Sequence, residues 1–64
     1  MASWDVVVKK LLKANGCYFV RAGNGDHEIW YSPITQRRVT VDGTILSRHT
    51  ANAILKQASI DHHF

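Results

Sequence analysis

Gly23-Asn24-Gly25-Asp26-His27-Glu28-Ile29-Trp30-Tyr31-Ser32-Pro33 decides the fold of this chain. Ala22 through Asp26 has turn composition: two glycines frame an asparagine, residue types that reach positive φ or bond their own backbone. Residues 27–31 then alternate, with His27, Ile29 and Tyr31 on one side and Glu28 and Trp30 on the other, as a strand requires. Proline has no N–H to give to an interior ladder, so Pro33 ends the run. A turn therefore feeds a strand, and one imidazole sits at the junction.

Working outward, Cys17 to Ala22 is aromatic and β-branched and reads as the strand before the turn. Ser32-Pro33-Ile34-Thr35-Gln36 connects to a third strand from Arg37 to Val41, where Arg37, Val39 and Val41 alternate with Arg38 and Thr40. Asp42-Gly43 closes it. Short links between three successive strands predict an antiparallel meander. On the N-terminal side, Ser3 is a helix cap, Asp5 an acidic first-turn residue and Asn15-Gly16 a stop. Between them Trp4, Val7 or Val8, Leu11 and Leu12 share a face, which gives an amphipathic helix over residues 4–15. On the C-terminal side, Ala51, Ile54, Leu55 and Ala58 form the stripe of a helix near residues 48–58, capped by Ser47 or Thr50. The order is αβββα, an α+β domain. A three-stranded antiparallel sheet needs one face covered, and two striped helices packed together on that face cover it.

The chain has 64 residues, enough for a single domain over 1–64. A domain of this size buries only about 60% of the surface its unfolded chain exposes, so the core is thin. That disfavours an internal cleft for an organic cofactor and places any chemistry on an open surface, suited to an extended substrate. Eight Lys and Arg against five Asp and Glu give a formal charge of +3, which favours polyanions. The single cysteine, Cys17, rules out an internal disulfide; lying in an apolar run, it reads as core. No signal peptide opens the chain and no apolar run approaches the ~20 residues of a bilayer span, so a cytoplasmic address is expected.

His27 is the residue with chemistry to offer. Histidine titrates near neutral pH, with an ordinary pKa of about 6.5, and a loop-to-strand junction gives it exposure and a firm base. Spacing alone favours a partly buried histidine that caps the turn, the default for a lone histidine. His49, at the start of the last helix, where backbone N–H groups favour anions, is a second candidate for phosphate binding or acid catalysis. His62-His63 has only Asp61 as a third donor and makes a poor metal site. No nucleophilic serine or cysteine, P-loop or zinc pattern stands out, and no cofactor is expected.

At this point the residues resemble a known family, the HicA-type mRNA interferase toxins of bacterial type II toxin–antitoxin modules. Leu11-Leu12-Lys13-Ala14-Asn15-Gly16 resembles the family's Leu-Leu-x-x-x-Gly, and residues 25–33 its Gly-Ser-His-x-Ile-Trp/Tyr-x-x-Pro core. Arg38-Val39-Thr40-Val41 resembles the third strand, and Ala53-Ile54-Leu55-Lys56-Gln57-Ala58-Ser59-Ile60 the Ile-Leu-Lys-Gln-Ala-Gly-Ile ending. Four pieces in order span nearly the whole chain. Asp26 stands where a serine is commoner, and Ser59 where a glycine usually ends the helix.

The resemblance implies a double-stranded-RNA-binding-domain-like fold and a metal-independent endoribonuclease that cuts mRNA without the ribosome. It also implies a HicB-type antitoxin that neutralises it, and it places the catalytic histidine at His27. Around that histidine, Lys9, Lys10, Lys13, Arg37, Arg38 and His49 are the candidate RNA-backbone contacts. Trp30 and Tyr31 are both candidates for base stacking, and alternation puts one of them in the core; Trp30, taken to lie on the polar side with Glu28 and Arg38, is the better one and could instead anchor the antitoxin. Asp26 and Glu28 are the carboxylates expected beside the imidazole. A non-catalytic RNA-binding module of the same fold is the alternative, and a structural domain meeting an acidic partner is a third.

Overall fold

Val8 and Leu12, one helical turn apart, are fully buried, while Trp4 and Leu11 pack partly against the core. These positions form one stripe of a helix over Trp4–Ala14 (α1). The computed structural model describes residues 4–64, and the expected cap Ser3 lies outside the described residues. The far end stops as the sequence indicates. Gly16 takes φ +87°, its N–H donates to the Lys13 carbonyl, and the Cys17 N–H donates to the Leu12 carbonyl. This pair of reversed bonds satisfies carbonyls the helix would otherwise leave open.

Three antiparallel strands follow in meander order: Tyr18–Ala22 (β1), His27–Ser32 (β2) and Arg37–Asp42 (β3), with β2 central. The four-residue link after Ser32 is closed by the Gln36 N–H donating to the Ser32 carbonyl. It sets the β2–β3 register from Ser32 opposite Arg37 to His27 opposite Asp42. On the other side Tyr18 faces Tyr31 and Phe19 faces Trp30, before a bulge lets Arg21 face Ile29.

The last helix runs over Arg48–Gln57 (α2), and Ser47 is its cap: its Oγ accepts from the Thr50 N–H at 3.1 Å. The helix ends with Ser59 at φ +58°, its N–H on the Lys56 carbonyl and the Ile60 N–H on the Leu55 carbonyl. This is the same reversed-bond ending as at Gly16, built on a serine. The tail folds back along α2, where Asn52 Oδ1 accepts from the Phe64 N–H at 2.8 Å and the Phe64 ring meets Trp4.

One core joins Val8 and Leu12 of α1, Trp30, Val39 and Val41 of the sheet, and Ala51, Ile54 and Leu55 of α2. Both helices therefore lie on the Trp30–Val39–Val41 face, and the opposite face is left open. The αβββα order and two-layer architecture are those expected from the sequence. Ser32, fully buried on the covered face, donates to the Ala58 carbonyl at 2.9 Å and ties the end of α2 to β2. Among the described residues no helix is long and apolar enough to cross a membrane.

One expectation is overturned. Trp30 is 3% exposed and lies on the covered face, so its ring is available neither to a base nor to a partner. The polarity of β2 misleads because the covered side carries Glu28 and Ser32, each with a dedicated partner, while the open side carries Ile29 and Tyr31. Glu28 accepts from the Trp30 indole Nε1–H at 2.9 Å and from Lys9 Nζ at 3.1 Å. A carboxylate satisfied twice can border a core.

Candidate active site

The turn before β2 is held by two backbone bonds: His27 N–H donates to the Asn24 carbonyl at 3.1 Å, and Gly23 N–H to the His27 carbonyl at 2.8 Å. Gly25 takes φ +61°, a conformation that favours glycine. Gly43, which follows β3, has no room for a side chain, because a Cβ there would run into the Asp26 carbonyl oxygen. The backbone on both sides of His27 is thus fixed by close approach of two turns.

Being opposite Asp42 in the ladder sets the ring's partner. His27 Nδ1 lies 3.0 Å from Asp42 Oδ1, and the two side chains keep 52% and 40% of their exposure. The two meet at ion-pair distance rather than as an aligned hydrogen bond, and a carboxylate this close favours a proton over a lone pair on Nδ1. In the neutral ring the lone pair then sits on Nε2, the nitrogen turned away from Asp42. The imidazole stands at an open hollow lined by Gly25, Asp26, His27, Asp42, Gly43 and Thr44. A half-exposed ring beside a carboxylate at an open hollow can take a proton from a bound hydroxyl or give one back.

The carboxylate at ion-pair distance from the ring is Asp42; Asp26 lines the same hollow without pairing with the ring, and Glu28 lies on the other face. Glu28 points to the covered face, where the indole hydrogen bond from Trp30, helped by Lys9 and the nearby Lys13 charge, holds its pKa below the ordinary 4.5 against the opposing effect of burial.

The other candidates are dispersed. Lys9 is paired with Glu28 beneath the sheet, and Lys10 and Lys13 are exposed on the same helical layer. Arg37 and Arg38 are exposed at the far end of β3, with Arg38 opposite Tyr31 on the open face that also carries His27. His49 lines a different hollow, between α2 and the tail, with Asn52, Lys56, Ile60, His62 and His63. Arg38 thus shares a sheet face with His27; the α1 lysines and His49 lie elsewhere. Among the described residues no group of three or more His, Cys, Asp or Glu is placed to hold a metal ion.

Asp42 was missed in the sequence, where Asp42-Gly43 reads only as a turn. The signal was there: with Ser32 opposite Arg37, each step back along β2 is one step forward on β3, and His27 falls on Asp42.

Comparison with known proteins found no match among curated proteins and none among solved structures. A family model does match, over residues 7–60, from the first turns of α1 to the residue that closes α2. It spans the turn, the strand carrying His27 and the strand carrying Asp42, and so this chain belongs to the HicA toxin family of bacterial toxin–antitoxin systems.

Proposed function

We propose that this toxin is an endoribonuclease that cuts mRNA independently of the ribosome in the cytoplasm, with His27 moving the proton, and that a HicB-type antitoxin restrains it. The observation that carries the reading is the His27–Asp42 pair, half exposed, 3.0 Å apart, on a turn fixed from both sides. Nε2 of His27 accepts the proton of a ribose 2′-hydroxyl, whose oxygen attacks the adjacent phosphorus. The bond from phosphorus to the 5′-oxygen breaks, that oxygen takes a proton from solvent, and His27 afterwards releases its own to solvent. The products are a 2′,3′-cyclic phosphate and a 5′-hydroxyl end. Asp42 keeps the ring in one tautomer and balances the charge it gains, as an orienting carboxylate does in other histidine sites. Arg38 lies on the same open face and supplies positive charge to the RNA backbone there. Lys10, Lys13 and Arg37 supply charge at a distance, while Lys9 is committed to Glu28. The reaction needs no cofactor.

Purified toxin, freed of its antitoxin, should shorten a single-stranded RNA and leave cyclic-phosphate ends. His27→Ala should retain the fold by circular dichroism and lose about 10²–10⁴-fold in cleavage rate, the usual worth of one proton-transfer group. Cleavage at the wild-type rate by His27→Ala would remove this assignment. RNA that is bound but never shortened by the wild type would favour the non-catalytic RNA-binding module instead.

A further inference from the structure

Beyond the catalytic pair, the open face of the sheet carries a second feature. Tyr18 of β1 and Tyr31 of β2 stand opposite each other with ring centroids 5.4 Å apart and planes tilted by 34°. Tyr18 is 56% exposed and Tyr31 half-buried, and neither helix lies on this side. Arg38 is the cross-strand neighbour of Tyr31 on β3. Arg21 is the neighbour of Ile29 on β1, its guanidinium resting on the Ala22 carbonyl at 3.2 Å. The one acidic side chain these pairings place on the face, Asp42, is occupied by His27. The end of the face away from His27 is aromatic, with a cationic side chain beside it on each outer strand.

We propose that this open sheet face is a base-stacking platform for single-stranded RNA, with nucleobases on Tyr18 and Tyr31 and the backbone on Arg38 and Arg21, leading the strand to His27. Stacking on an aromatic face is available to unpaired bases and to every base type, and arginines beside it hold phosphates. Charge decides the occupant: the surface around the tyrosines is positive, and the substrate is a polyanion. Geometry decides the register. The Tyr31–Arg38 pair lies four residues along the ladder from His27–Asp42, about 13 Å at strand spacing, with Ile29 and Thr40 between. A short extended stretch of strand spans that distance, so the bases held by the tyrosines lie to one side of the bond that is cut. The platform would thus fix which nucleotides flank the cleavage position. This rests on the endoribonuclease reading for the position of the cut, though not for the binding itself.

The test separates the two. In the His27→Ala protein, which binds without cutting, affinity for a short fluorescent single-stranded RNA is measured for Tyr18→Leu, Tyr31→Leu and Tyr31→Phe. Each leucine variant should weaken binding by about 5- to 150-fold, the worth of one stacked base, and phenylalanine should retain it. The same sequence as a duplex should bind more weakly and respond little to leucine. Arg38→Gln should flatten the slope of log affinity against log salt by about 0.7. Leucine variants that bind as tightly as the parent overturn the platform, as does loss of binding from Lys10→Gln and Lys13→Gln alone. So does a face whose leucine variants lose the antitoxin and keep the RNA. If wild-type protein binds through the tyrosines yet never cuts, the enzyme reading fails and the platform stands. If it cuts and the leucine variants cut at unchanged positions and rates, the platform fails and the enzyme stands.

Discussion

Asp42 is the residue whose role rests most directly on geometry. It faces His27 at Nδ1, so the role argued for it is orientation and charge balance. Asp42→Asn keeps the size of the side chain and removes its charge. Because an amide can donate as well as accept, the ring is no longer held to one tautomer. The expected outcome is a fall in kcat with KM unchanged, smaller than the loss in His27→Ala, measured on a short RNA at fixed salt; a rise in KM with kcat unchanged would make Asp42 a binding residue. Ser59 makes a different kind of prediction. It occupies φ +58° at the end of α2, in the region that a Cβ disfavours by roughly 1 kcal/mol. Ser59→Gly should stabilise the protein by up to about that amount, raising Tm by a few degrees in a domain this small, with cleavage unchanged. A lower Tm would show that the serine hydroxyl contributes more than the backbone costs.

At the scale of elements, the strands were legible and the side of the sheet was not. Alternation in residues 27–31 and 37–41 is strict enough to give both strands, and the helix stops at Asn15-Gly16 and the cap at Ser47 follow from local chemistry. Which parity is buried depends on contacts that alternation does not encode: an indole and a lysine reaching one carboxylate, and a serine reaching a helix carbonyl. His27 could be found because its neighbours are local in sequence. Asp42 could not without the register, since its partner is fifteen residues away. Trp30 gives the element-scale prediction. Its ring is buried against the core and its N–H anchors Glu28, so Trp30→Ala both opens a cavity and frees a carboxylate. The cost should be about 3–5 kcal/mol, comparable to the whole stability of a small domain. Thermal melts should show Trp30→Ala largely unfolded at ambient temperature and Tyr31→Leu close to the parent. A well-folded Trp30→Ala protein would contradict the burial that excludes this residue from RNA contact.

Taken whole, the molecule is two layers, helices over a sheet, and one charged link crosses between them among the described residues: Lys9 of α1 on Glu28 of β2. Glu28 also binds Trp30, and that indole bond is the largest cause of its lowered pKa. The sign of the linkage follows. A carboxyl whose pKa is lower folded than unfolded holds fewer protons in the folded state, so it stabilises the fold at pH above its ordinary value of 4.5. That contribution is lost as pH falls from 4.5 through the lowered folded value. Because both side chains of the ion pair keep about a quarter of their exposure, solvent screening holds the effect to about 1 kcal/mol or less. Glu28→Gln still offers an oxygen to the indole and has no charge to lose. The difference in Tm between parent and Glu28→Gln should therefore be positive and level from neutral pH down to about 5. It should then shrink as the acid enters the range below 4.5. A difference near zero at every pH would place the stabilisation in the hydrogen bond to Trp30 that the glutamine keeps, and the link between the layers would owe nothing to charge.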